Sequence, residues 1–191
     1  VIVDHRKRRL LISKILAKLE KDDSLVTDDP QEDLLTETTF LTEYPQPIIC
    51  TFYKKLLDLP SEVISTVLVK HQKYFPLIRK DSKEMTNMFL VIANYDKDSD
   101  LIRQGNEKVV NARLRDGVFF FEQDKKIKLS EFAKLTKNIT FQEKLGSMSE
   151  KMERIEKIAV TIAPSVSKNL ELEKVSRAAR LSKADLATNM V

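Results

Sequence analysis

The sequence has 191 residues, 42% of them apolar and 32% charged, with three glycines, one cysteine, two histidines and no tryptophan. That length suits one medium domain or two small ones, and glycines so scarce and scattered exclude both GxGxxG and GxxxxGK[ST] phosphate loops. The single cysteine, Cys50, excludes an internal disulfide and a multi-cysteine metal site, while the net charge of +4 is modest but unevenly spread.

Residues 4 to 20 read as a helix capped by Asp4, with Leu11, Ile15, Leu16 and Leu19 on one face. Its first turns carry Arg6, Lys7, Arg8 and Arg9, cations where the helix dipole favours anions, so a phosphate or an acidic neighbour is expected nearby. The acid-rich stretch over residues 20 to 43 is the simplest neighbour of that kind. It contains a polar connection, and then Asp29 and Pro30, which suit an N-cap and first helical position. The helix they open should end before Pro45, and "PIICTF" reads as a short strand that buries Cys50.

"DLPSEVISTVLVKHQ" reads as a helix opened by Asp58 or Ser61, with Val63, Ile64, Val67 and Leu68 inward. Its β-branched residues require tertiary support. "YFPLI" and "NMFLVIAN" flank a charged connection and predict a β-hairpin, with Pro76 at an edge because it has no amide hydrogen. After the loop "YDKDSD", residues 100 to 123 read as mainly helical on a stripe of Leu101, Val109, Val110, Leu114 and Phe121, with Gly105 and Gly117 as points of bending or breakage. "SEFAKLTKN" predicts a short helix and "NITFQ" an extended piece. Ser147 and Glu150 form a capping-box pattern ahead of Met152, Ile155, Ile158, Ala159 and Ile162 at helical spacing. Two further helices, "LELEKVSRAAR" and "SKADLATNMV", are expected at the end.

The expected fold class is therefore α+β: a mixed region over residues 1–140 and an all-helical segment over 141–191, with the change between residues 138 and 147. No stretch approaches the ~20 apolar residues that span a bilayer, so no membrane association is expected. No signal peptide is expected. The first methionine is Met85, and the sequence is expected to be a piece of a longer protein. One thiol and no disulfide suit a reducing compartment.

No catalytic or metal-binding set stands out. His5 and His71 lack a recognisable nucleophile context, and paired carboxylates are too common at this composition to carry information. Two segments combine bases with aromatics or amides, as nucleic-acid contacts do. One is "KHQKYFP", with Lys70, His71, Lys73 and Tyr74. The other is "IRQGNEKVVNARLRDG", with Arg103, Asn106, Lys108, Arg113 and Arg115. Each has an architectural reading too. Lys70 and His71 suit a last helical turn, and Tyr74 and Phe75 should point to opposite faces of an edge strand. Arg113 and Arg115 would pair with Glu107 and Asp116 in a polar network between helices.

"LPSEVISTVLVKHQKYFPL", "IRQGNEKVVNARLRDGVFFFEQD", "FQEKLGSMSEKMERIEKIA" and "RAARLSKADLATNMV" follow one another in that order. Together with "DHRKRRLLISKIL" and "LLTETTFLTEYPQPI", this order resembles the β subunit of bacterial glycyl-tRNA synthetase along nearly the whole chain. The resemblance implies a cytoplasmic α/β heteromer, fused into one chain in some bacteria, whose α subunit activates glycine with ATP and Mg. It implies that this part binds no cofactor itself, that its partners are the α subunit and the tRNA for glycine, and that its role is to recognise and position tRNA. It further implies an editing-like region, similar to that of the phenylalanyl-tRNA synthetase β chain, followed by the start of an HD-type helical domain. The last third holds no histidine, so metal-dependent phosphohydrolase chemistry is not expected there. A subunit-docking module with little RNA contact, and residual aminoacyl-ester hydrolysis, are the competing functions.

Overall fold

The computed structural model describes residues 1–22, 25–27, 32–95, 97–167 and 169–190. They form two compact units, Val1–Val118 and Phe119–Val191. The mixed helix-and-sheet content agrees with the α+β expectation. The expected change of architecture at 138 to 147 falls inside the second unit, on a small hairpin.

The first unit is built on a four-stranded sheet of β1 (Leu25–Thr27), β2 (Gln46–Thr51), β3 (Phe75–Arg79) and β4 (Met85–Ala93) in the order β1-β3-β4-β2, with every pairing antiparallel. The expected hairpin is β3–β4. Alternation sorts its side chains to two faces. Phe75, Leu77, Leu90 and Ile92 line one face and close a core with Ile12 of α1 (His5–Asp22) and Leu34 of α2 (Glu32–Leu41). Ile15, Leu16 and Leu19 pack against that core as their spacing predicts, although the residue of α1 that is wholly buried is Ile12. On the other face Ile48 and Cys50 lie directly opposite Val91 and Phe89, all four buried. Each such apolar side chain contributes about 1.5–3 kcal/mol relative to exposure.

Asp4 caps α1 as expected, its Oδ1 accepting the Arg6 amide at 2.9 Å. The cations behind it are relieved by the protein. Arg8 is buried, its Nε donating to the Thr39 carbonyl at 3.0 Å and its Nη1 to the carbonyls of Ile2 and Val3 at 2.7 and 2.9 Å. Arg9 pairs with Glu32 and donates to Thr36 Oγ1, and His5 stacks on Phe40. Glu32, Thr36, Thr39 and Phe40 lie in α2, within the acid-rich stretch expected from charge, although only Glu32 among them meets a cation with a carboxylate. The Asp29–Pro30 cap lies outside the described residues.

Several expectations are corrected. Leu25–Thr27, within the stretch read as a polar connection, forms β1. Pro76 is not at an edge. It is buried in the inner strand β3, opposite Phe89, next to a register shift between Pro76 and Ile78, and the described β1 pairs stop at Leu77. A bulge of this kind accommodates a residue that cannot donate to the ladder. The helix expected over residues 58–72 is instead a 3-10 turn (Lys54–Asp58), one α-helical turn α3 (Ser61–Ser65) and a π-helical turn (Thr66–His71). Pro60 stands at the N-cap, with no side-chain cap from Asp58 or Ser61. α4 (Ser99–Asp124) runs unbroken through Gly105 and Gly117. Gly105 faces open space, and a Cβ at Gly117 would meet Val63 and Leu59 at ordinary contact distance. Val110 and Leu114 are fully buried as expected, whereas Leu101 and Val109 are exposed.

The second unit contains α5 (Leu129–Leu135), the hairpin β5 (Thr140–Gln142) and β6 (Gly146–Ser147), α6 (Met148–Val166) and α7 (Leu172–Leu181). The final segment is a 3-10 turn, Ala184–Ala187, rather than a helix. The capping box forms in full. Ser147 Oγ accepts the Glu150 amide, and Glu150 Oε2 accepts the Ser147 amide at 2.6 Å, which holds the Glu150 carboxyl below its ordinary range. Gly146 precedes it at φ +82°, where a Cβ would collide with the Glu150 carboxylate. Along the expected apolar stripe of α6, Met152 is buried but Ile158 and Ile162 are exposed. Among the described residues no helix is long and apolar enough to cross a membrane.

Candidate nucleic-acid interface

The stretch 70–76 forms the stop of the π-helical turn. Lys70 and His71 are exposed in its last residues. Lys73 follows in the left-handed region at φ 60°, which lets the Tyr74 amide turn back to the Leu68 carbonyl at 2.8 Å. The Lys73 ammonium pairs with Glu37 at 2.8 Å. Phe75 is wholly buried. Tyr74 is half-buried, its ring stacked on Phe89 with centroids 5.4 Å apart and its hydroxyl bonded to Asn106 Oδ1. Burial, and then the neighbouring Cys50, push the Tyr74 phenol up. The outward aromatic expected beside Lys73 is therefore corrected: both rings serve the core, and Lys73 is engaged by an acid.

The second segment lies along α4 and has an architectural task of its own. β2 ends the sheet, so its outer amides and carbonyls need partners from outside the sheet. Alternate residues 49, 51 and 53 present those groups. Four residues of helix advance about 6 Å and two of strand about 6.7 Å, so a helix laid along the edge meets it in near register. Arg103 Nε donates to the Ile49 carbonyl at 3.1 Å. Glu107 Oε1 accepts the Thr51 amide at 2.7 Å and its hydroxyl at 3.0 Å. Asn111 Oδ1 accepts the amide of Tyr53, just past the strand, at 2.9 Å. Asn106 and Asn111 each donate their amide nitrogen to the carbonyl four residues back, which aims their oxygens outward from the helix. Arg103, Glu107 and Asn111 thus act as a polar rail along the sheet edge, with Asp100 holding Arg103 from behind at 2.8 Å. The network forms between helix and strand, not between helices, and Arg113 and Arg115 take no part in it.

Lys108, Arg113 and Arg115 remain exposed on α4, Lys108 and Arg115 on one face and Arg113 on another, and among the described residues none of them forms an ion pair. Arg115 instead lies over the ring of Tyr53, 5.0 Å from its centroid. Tyr53, 52% exposed, opens a cleft of about 420 Å³ whose far wall is Gln104, Lys108 and Arg115. Tyr53 escaped the sequence reading because it stands at the end of a strand pattern. Its own context, "FYKKLL", an aromatic next to two lysines, is the signal that could have found it.

Of the nine candidate residues, the fold engages Lys73, Tyr74, Arg103 and Asn106 internally. Lys70 and His71 stand at one place and Lys108, Arg113 and Arg115 along another, all exposed. Cys50 is fully buried and desolvation pushes its thiol up to about 12, which makes it unreactive. Among the described residues the His5 ring stacks on Phe40, the His71 side chain stands exposed, and no group of three or more His, Cys, Asp or Glu side chains gathers as metal ligands do.

The family described as glycyl-tRNA synthetase beta subunit matches residues 1–191. Among similar proteins, a glycine–tRNA ligase beta subunit of Pseudomonas fluorescens Pf-5 is 45% identical over the whole of this chain and 28% of its own length. The beta subunit of Halothermothrix orenii is 41% identical over 100% of this chain and 28% of its own. That of Acaryochloris marina is 39% identical over 100% and 27% respectively. The chain thus spans rather more than a quarter of the length of these relatives.

Proposed function

The chain belongs to the family of glycyl-tRNA synthetase beta subunits, and from that membership we propose that it is a tRNA-recognising and tRNA-positioning part of a glycine–tRNA ligase. In this reading the ligase attaches glycine to its tRNA with ATP and Mg held by the α subunit, or by a fused α region, and works in the cytoplasm. This part supplies surface rather than chemistry. The mixed region over residues 1–140 is an editing-like scaffold turned to RNA binding, and the segment over 141–191 begins an HD-type domain.

The observation that carries the reading is the set of exposed cations on α4, Lys108 and Arg115 on one face and Arg113 on another. Lys108, Arg113 and Arg115 have no carboxylate partner among the described residues, unlike Arg9 and Lys73, which do. Unpaired cations on one rigid helix attract phosphates without first breaking an ion pair. The test is tRNA affinity as a function of salt. Lys108→Ala, Arg113→Ala and Arg115→Ala should each weaken binding and lower the slope of log K against log salt by about 0.7–0.9 for every phosphate left without its cation. Lys73→Ala should leave the slope nearly unchanged. Wild-type affinity and slope in all three α4 variants would refute the reading.

A second reading has its own observation. Ile158, Ile162 and Val166 are exposed at successive turns of α6, an apolar stripe suited to docking protein. In that case Ile158→Asp or Ile162→Asp would abolish capture of the α subunit while tRNA affinity stayed intact.

A further inference from the structure

We propose that the cleft between Tyr53 and α4 is a pocket for one unpaired nucleotide of RNA, with Tyr53 as the stacking platform and Lys108 and Arg115 as phosphate ligands. It rests on the tRNA-handling reading and gives it a specific site. Tyr53 is held for this role. Its backbone amide is fixed by Asn111, and Phe52, the residue before it, is buried against Phe89. A ring on so rigid a support loses little entropy when a base stacks on it.

The ring already carries a cation. The Arg115 guanidinium over Tyr53 marks a face open to a flat, polarisable group. An incoming base takes the guanidinium's place and releases Arg115 to the phosphate beside it. Lys108 and Gln104, on successive turns of α4, line the same wall. Glu107 is the acid in the cleft, and its Oε1 is occupied by Thr51, so the phosphate is directed toward Lys108 and Arg115. The cleft volume of about 420 Å³ lies within the ~300–1,000 Å³ of sites that hold small ligands. Stacking of this kind tolerates any base but requires it to be unpaired.

The probe is a fluorescent octauridylate RNA titrated into the 191-residue chain, with a perfectly paired RNA hairpin and bulk tRNA alongside. Tyr53→Ala should bind the octauridylate about five-fold more weakly or worse, and Tyr53→Phe should match the wild type. Hairpin binding should be unchanged by Tyr53→Ala. Far-UV circular dichroism and the Tyr53→Leu variant, which keeps apolar bulk but not a flat ring, exclude misfolding as the cause. Octauridylate affinity of Tyr53→Ala within about two-fold of wild type, or no wild-type binding at all, overturns the pocket. If tRNA still binds in a salt-dependent way in either case, the tRNA-handling reading stands without it. Absence of tRNA binding by the wild type overturns both.

Discussion

Replacing Glu107 by alanine tests whether the polar rail of α4 holds the sheet edge. The carboxylate accepts two hydrogen bonds from Thr51, one from the amide and one from the hydroxyl. Each such bond is worth about 0.5–1.5 kcal/mol net, and the partly exposed setting places them at the lower end because water can replace the acceptor. Alanine returns a few tenths of a kcal/mol in helix propensity. The expected loss is thus about 1 kcal/mol, or roughly 2–4 °C in melting temperature for a chain of this size. Glu107→Gln keeps an acceptor oxygen and should lose about half as much. Thermal melts followed by circular dichroism give the global number, and amide hydrogen exchange at Thr51 reads the bond itself. Exchange at Thr51 as slow in Glu107→Ala as in the wild type would show that α4 does not close this edge.

Two further outcomes follow from buried groups. Arg8 holds three backbone carbonyls, so Arg8→Ala should cost about 2–4 kcal/mol in denaturant titrations, with Arg8→Lys recovering only part. Cys50 should resist a thiol reagent at about pH 8 until the chain unfolds. Its thiol stays neutral in the fold up to about 12 but ionises near 9.0 when unfolded. The stability this represents is fully present below about pH 9 and is lost as pH rises, by about 1.4 kcal/mol per pH unit between roughly 9 and 12. Tyr74, raised in the same direction, adds to the loss at the top of that range. Cys50→Ser should flatten the alkaline limb of the stability–pH curve.

Local chemistry was legible in the sequence where one residue answers to its near neighbours. The Asp4 cap, the Ser147–Glu150 box and the β3–β4 hairpin all follow from spacings of a few residues. Elements decided by distant partners were not. Leu25–Thr27 is too short and too embedded in acids to read as a strand, and it exists because β3 offers it a ladder. Pro76 is tolerated inside the sheet because a bulge sits beside it. The candidate site divided along the same line. The bases of α4 were visible, but Arg103 and Asn106 turned out to serve β2 and Tyr74. Tyr53 and Arg115, far apart in the chain, meet only because α4 is laid along that strand. The order of several long motifs pointed to the family along nearly the whole chain, which no single motif could have done, and the family match extends over residues 1–191.

The same rail bears on solubility. β2, "QPIICT", is short and uncharged, and after Pro47 its run "IICT" is apolar and mostly β-branched, a stretch able to pair with a foreign strand once its edge is bare. Pro47 blunts the start of this edge, but beyond it β2 has no charge of its own to guard it against pairing with another chain. Arg103 and Glu107 supply that guard from outside the strand, occupying a carbonyl and an amide that a foreign strand would need. α4 is therefore a gatekeeper as well as a scaffold, and any step in synthesis or heating that exposes β2 before α4 has docked is the step at which this protein is vulnerable to aggregation.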